Sequence, residues 1–138
     1  MTTVSTIDAQ AVFTEMSAGW NAADAVRTAN TYAESGRLVT PDGVTLDGRD
    51  AITAAFTMLF GGPRASGLPD IWAGMFTGTS TDIVVDSVQP LSDGLVAVEA
   101  TQTTEGPLPP LHITAVLAQT GEAAEILECR PYAFLSLS

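Results

Sequence analysis

The side chains able to do chemistry in this chain are few, and they sit inside apolar strand patterns. His112 is the single imidazole, within Leu111-His112-Ile113-Thr114-Ala115-Val116. Its ordinary pKa lies near neutrality, which makes it the first general-base candidate. Glu128 and Arg130 stand at i and i+2 of another such pattern, so both project from one face of a strand. A carboxylate held beside a guanidinium stays ionised and, in a closed pocket, binds an acid or orients a base. Glu99 lies within Val96-Ala97-Val98-Glu99-Ala100, where burial would raise its pKa and fit it for general-acid work. The competing reading of His112 is a solvent-facing or satisfied core histidine. For the charged groups it is a surface or dimer-interface salt bridge.

A second set is aromatic. Trp20, Tyr32, Phe56, Phe60 and Trp72 are candidates for the wall of a hydrophobic cavity, with core packing as the alternative. Tyr32 also offers a phenol that can hydrogen-bond a ligand carbonyl. Asp42 and Asp47 read as structural, the first in an Asp-Gly turn and the second as a helix cap. Cys129 is the only cysteine, so no intramolecular disulfide is possible, and its apolar strand makes it a small buried hydrophobe. One histidine, one cysteine and scattered acids give no expectation of a metal site. Gly-x-Gly-x-x-Gly, Gly-x-Ser-x-Gly and Cys-x-x-Cys are absent, so no cofactor is expected.

Composition narrows the partners. The 138 residues carry a net charge of −11, with five arginines and no lysine. That balance repels phosphate backbones and anionic membranes, so neither nucleic acid nor membrane is an expected partner. Schiff-base chemistry and a phosphate-loop lysine are excluded outright. No apolar run approaches the roughly 20 residues of a membrane span. With no signal-like segment at the start, a single cytoplasmic domain over residues 1–138 is expected.

The elements that must position these residues follow from periodicity. Ser5 or Thr6 is placed to cap a first helix, whose stripe is Ala9, Val12, Phe13, Met16 and Trp20. Asp24 is an N-cap for a second helix to about residue 34, ended by Gly36. Residues 37–40 and 44–46 flank Pro41-Asp42-Gly43 as a small hairpin. Asp47 then caps a third helix with the stripe Ile52, Ala55, Phe56, Leu59 and Phe60, stopped at Gly61-Gly62-Pro63. The second half alternates like strands at 71–77, 81–89, 95–103, 111–119 and 125–134. Helices first and an antiparallel meander later define an α+β class with helices on one face. A Thr120-Gly121 turn would pair Gln119 with Glu122 and set His112 opposite Cys129. His112 would then lie on the face opposite Glu128 and Arg130 unless a bulge intervenes.

The order of Trp20-Asn21, Asp42-Gly43 and Gly48-Arg49-Asp50-Ala51-Ile52 resembles the SgcJ/EcaC group of SnoaL-like proteins in the nuclear transport factor 2-like superfamily. The resemblance implies a cone-shaped fold, about three helices on a strongly curved sheet with a cavity between them. It also implies a homodimer formed through the outer sheet face. Related proteins are cofactor-free and act in polyketide, including enediyne, biosynthesis. The chain departs from the pattern at Ala124, where the group often carries tryptophan, and at Arg130-Pro131-Tyr132, where it carries a polar tail. The expected function is binding of a hydrophobic polyketide-type intermediate, with acid–base cyclisation or isomerisation if catalytic. Non-catalytic sequestration of such a metabolite is the alternative, and a dimerisation module is a third.

Overall fold

The computed structural model describes residues 8–106, 108–120 and 123–133. Ser5, Thr6, Gly121, Glu122 and Phe134 lie outside them. Helix α1 (Ala9–Asn21) is capped by Asp8, whose carboxylate accepts from the Ala11 N–H at 3.0 Å. It buries Ala9, Phe13, Met16 and Trp20 of the expected stripe, with Val12 only partly buried. The second helix is shorter than its pattern suggests: α2 covers only Ala25–Ala29. Asp24 caps it, but the threonine and tyrosine that follow favour extended backbone. Strand β1 (Tyr32–Val39) therefore begins where helix was expected.

Gly36 does not end a helix; it sits in a kink of β1. Strand β1 runs parallel to β6 (Ala123–Tyr132), pairing Tyr32 with Ile126 and Arg37 with Glu128. Residues 33–36 thus face Leu127 alone, and the chain bends sharply there. A Cβ at Gly36 would lie 2.8 Å from the Ala33 carbonyl oxygen and 2.9 Å from that of Ile126, closer than packing permits. Beyond the kink, β1 makes the expected hairpin with β2 (Thr45–Asp47).

Helix α3 (Arg49–Leu59) buries Ile52, Ala55, Phe56, Met58 and Leu59. Its N-cap is Gly48 at φ 92°, not Asp47, which turns outward toward Arg37 at 3.6 Å. Arg49 pins the helix start. Its Nε and Nη2 donate to the Tyr32 carbonyl at 3.0 and 2.7 Å, and Nη2 also reaches Glu125 at 2.9 Å.

Residues 71–77 form no strand. Pro69 leads into a single 3-10 turn (Asp70–Trp72) and a series of further turns. The remaining strands are β3 (Thr81–Ser92), β4 (Leu95–Thr104) and β5 (Leu111–Thr120), close to the expected segments. The sheet order is β2-β1-β6-β5-β4-β3, antiparallel except for the β1–β6 pair. Irregular pairing in β1, β3 and β6 curls the sheet around α1 and α3. No helix among the described residues is long and apolar enough to cross a membrane.

Replacing Gly36 by alanine is expected to cost roughly 1–3 kcal/mol, because two backbone carbonyls must move. Urea unfolding of Gly36→Ala beside the parent chain measures it, and an unchanged midpoint would refute the account of the kink.

Candidate active site or ligand cavity

Strand alternation decides which side chains meet inside the curl. On β5, Ile113, Ala115 and Leu117 are buried and point inward, so His112, Thr114 and Val116 point outward. Thr120 pairs with Ala123, a shift of two from the expected register, which keeps every face. A bulge then reverses the faces: Leu117 opposes Ile126 but Val116 opposes Glu128, leaving Leu127 as the extra residue. Cys129 consequently points inward with Ala115, and Glu128 and Arg130 share the outer face with His112. The opposite-face expectation for these residues is corrected by that one inserted residue.

All four polar candidates therefore lie on the convex side of the sheet. His112 stacks near Tyr132, ring centroids 5.9 Å apart. Arg130 Nε lies 3.2 Å from Glu128, and Arg37 lies 3.8 Å from the same carboxylate. Glu99 accepts from the Ser87 hydroxyl at 3.2 Å. Ser87, Gln89, Ala97, Glu99, Thr114, Val116 and Glu128 frame a shallow depression of about 260 Å³ there. These ion pairs are substantially exposed, and such pairs contribute about 0–1 kcal/mol each.

The concave side holds a cavity of about 480 Å³. Trp20, Tyr32, Phe56 and Trp72 all line it, together with Met16, Leu38, Phe76 and Ile113. Phe60 does not; it packs behind Trp20, edge to face at 5.6 Å. Trp20 is held by Phe56 at 5.8 Å, by Phe76 at 4.7 Å, and by its indole N–H donating to Thr79 at 3.2 Å. Such aromatic packing fixes ring orientation as well as burying area.

Polar side chains on the lining are few. Tyr32, at the start of β1, and Cys129, on β6, are buried neighbours on this lining. Burial pushes the Tyr32 phenol well above its ordinary range, with the neighbouring Cys129 adding to the shift. Burial likewise pushes the Cys129 thiol up to about 12, against the opposing effect of the neighbouring Tyr32 phenol. Both groups are neutral at physiological pH, which rules out a thiolate nucleophile here. Gln102 is buried and donates to the Thr81 hydroxyl at 3.0 Å.

Asp42 is the site residue that sequence reasoning assigned to a turn and nothing more. It does make the turn: the Gly43 N–H bonds the Thr40 carbonyl at 2.9 Å, with Gly43 at φ 87°. The turn also overhangs the cavity, where the Asp42 Oδ2 accepts from the buried Trp72 indole at 3.0 Å. Its other oxygen accepts from the Thr40 hydroxyl. An Asp-Gly pair signals a turn; only the tertiary path of residues 70–72 makes it part of a cavity. Among the described residues, no cluster of three or more histidine, cysteine or acidic side chains is placed to hold a metal ion.

The fold is similar to that of solved proteins described as having a cystatin-like fold or as nuclear transport factor 2-like. No family model matches the chain, and no curated protein does. A Nostoc punctiforme domain of unknown function with a cystatin-like fold superposes with a TM-score of 0.73 at 18% identity, over 93% of this chain and 76% of that one. A nuclear transport factor 2-like protein of unknown function from Shewanella oneidensis gives 0.64 at 15% identity, covering 89% and 94%. A scytalone dehydratase-like protein from Novosphingobium aromaticivorans gives 0.65 at 10% identity, covering 91% and 80%.

The raised Cys129 pKa has a signed consequence. Above its ordinary 9.0 the unfolded thiol ionises while the folded one stays protonated until about 12. Its contribution to stability is therefore complete below 9.0 and lost between 9.0 and about 12. Denaturation midpoints should fall with pH across that window, and Cys129→Ala should flatten the fall. Equal slopes in the two proteins would refute the assignment.

Proposed function

We propose that this chain is a cytoplasmic, cofactor-independent pocket protein that binds a hydrophobic metabolite of polyketide type. The observation that carries the reading is the cavity of about 480 Å³, walled by two tryptophans, a tyrosine and phenylalanines. That volume and lining suit a small, largely apolar ligand. The SgcJ/EcaC-like landmarks support the metabolite class. His112, Glu99, Glu128 and Arg130 have no part in this reading, because the sheet separates them from the cavity. Binding or sequestration is thus better supported than acid–base cyclisation by those four groups.

A second reading, isomerisation or cyclisation inside the same cavity, is favoured by one observation: Asp42 and Tyr32 both reach the lining. A carboxylate and a neutral phenol are a workable base and hydrogen-bond donor. Mass spectrometry of incubated ligands separates the readings, since binding alone leaves the compound unchanged.

We propose further that the convex sheet face pairs two copies. Val84 is 51% exposed there, and Ala97 and Val116 flank the shallow depression. Sedimentation equilibrium should give a dimer, and Val116→Asp should shift it to monomer; a parent monomer would end this proposal.

For the pocket, the neutral dye Nile red serves as probe. Leu111 lines the cavity and is only half-buried, so Leu111→Trp can fill volume without disturbing the core. Its affinity should drop roughly tenfold or more, about the worth of one well-packed ring. His112→Ala, Glu99→Gln, Glu128→Gln and Arg130→Ala should stay within roughly twofold. Equal dye binding by Leu111→Trp and its parent, at matched melting temperature, would place the dye elsewhere.

A further inference from the structure

The charge distribution around the cavity narrows the ligand class. Among the described residues on its lining, Asp42 is the one charged side chain. All five arginines are committed to carboxylates elsewhere: Arg27 to Glu15, Arg37 and Arg130 to Glu128, Arg49 to Glu125, Arg64 to Asp70. The chain has no lysine, and among the described residues no arginine lies on the lining to receive an anionic ligand. The aromatic walls present electron-rich faces, which favour a cation and disfavour an anion.

Asp42 is also placed to act on a ligand. Its two oxygens take one hydrogen bond each, from Trp72 and from Thr40, and a carboxylate has about four acceptor sites. The Trp72 bond fixes the carboxylate at the cavity, while the residue itself remains exposed at the turn. A ligand lying along the aromatic wall can therefore present a donor to Asp42 without displacing either partner.

We infer that the cavity selects its ligand by charge: it takes neutral or cationic apolar molecules whose hydroxyl or ammonium end meets Asp42, and it rejects carboxylates of the same shape. This rests on the pocket reading above and names the ligand class for it. Acyl chains with free carboxylate ends and carboxylated polyketides are thereby excluded, whereas phenols, alcohols and amines are admitted.

Three probes with one apolar body test the inference: naphthylmethanol, naphthylmethylammonium and naphthoate, titrated calorimetrically at about pH 7, where the last two are fully charged. Salt near 0.3 M shortens the Debye length to about 6 Å, so the general field of an acidic protein is screened and contact with Asp42 is not. The ammonium should bind tightest and the carboxylate weakest, with roughly tenfold or more between them. Asp42→Asn keeps an acceptor for the Trp72 indole, and it should shrink that span to roughly twofold. Naphthoate binding as well as the ammonium would overturn the inference, and so would an Asp42→Asn variant that discriminates as the parent does. The pocket reading fails separately: it falls if none of the three binds, or if Leu111→Trp binds the alcohol as tightly as its parent.

Discussion

The carbonyl oxygen of Tyr32 receives two donors from Arg49, and the same guanidinium reaches Glu125. These bonds converge where the chain leaves its helical start and enters the sheet beside β6. The Thr31 carbonyl bonds the Ile126 N–H at 2.9 Å at the same point, so the parallel pair starts in register. A parallel pair joins distant stretches of sequence and has no turn to align it. Arg49 supplies that alignment from α3. With it in place, the Tyr32 side chain points into the curl, and β1 can kink at Gly36 to bring its second half alongside Cys129.

From that junction the separation of polar and apolar chemistry follows. Each strand alternates, and the curl assigns one set of positions to the cavity and the other to the convex face. The extra residue at Leu127 determines which set contains Glu128 and Arg130. Placed inside, two charges would need desolvation that the cavity's few partners could not repay. Placed outside, they join Arg37 and Asp47 in an exposed chain of ion pairs at little energetic consequence. The interior keeps two groups that are neutral by burial, Tyr32 and Cys129, and one carboxylate confined to a turn at the edge.

Legibility in the sequence tracked the range of the interactions. The stripes of α1 and α3 were readable because periodicity alone orients an amphipathic helix, and Trp20 and Phe56 were reached that way. The long strands were readable from alternation bounded by turns, within a few residues at each end. Residues 30–36 misled because a good cap at Asp24 starts a helix but does not say how long it continues. Residues 71–77 are apolar, yet Pro69 and the glycines at 74 and 78 turn the chain instead of extending it. The faces of β6 were beyond reach: one bulged residue inverts them, and no local pattern around Leu127 announces it. Asp42 was visible as a turn residue and invisible as a cavity residue for the same reason, since its role depends on Trp72 arriving from thirty positions away.

The two tryptophans occupy contrasting surroundings. Trp20 is enclosed by phenylalanine rings and bonded to a threonine hydroxyl, whereas Trp72 donates to a carboxylate at the cavity edge. An indole's emission colour follows the dipoles around its ring, so the pair forms a two-channel optical gauge. Events at the edge register on one emitter and events along the inner wall on the other, with no label attached.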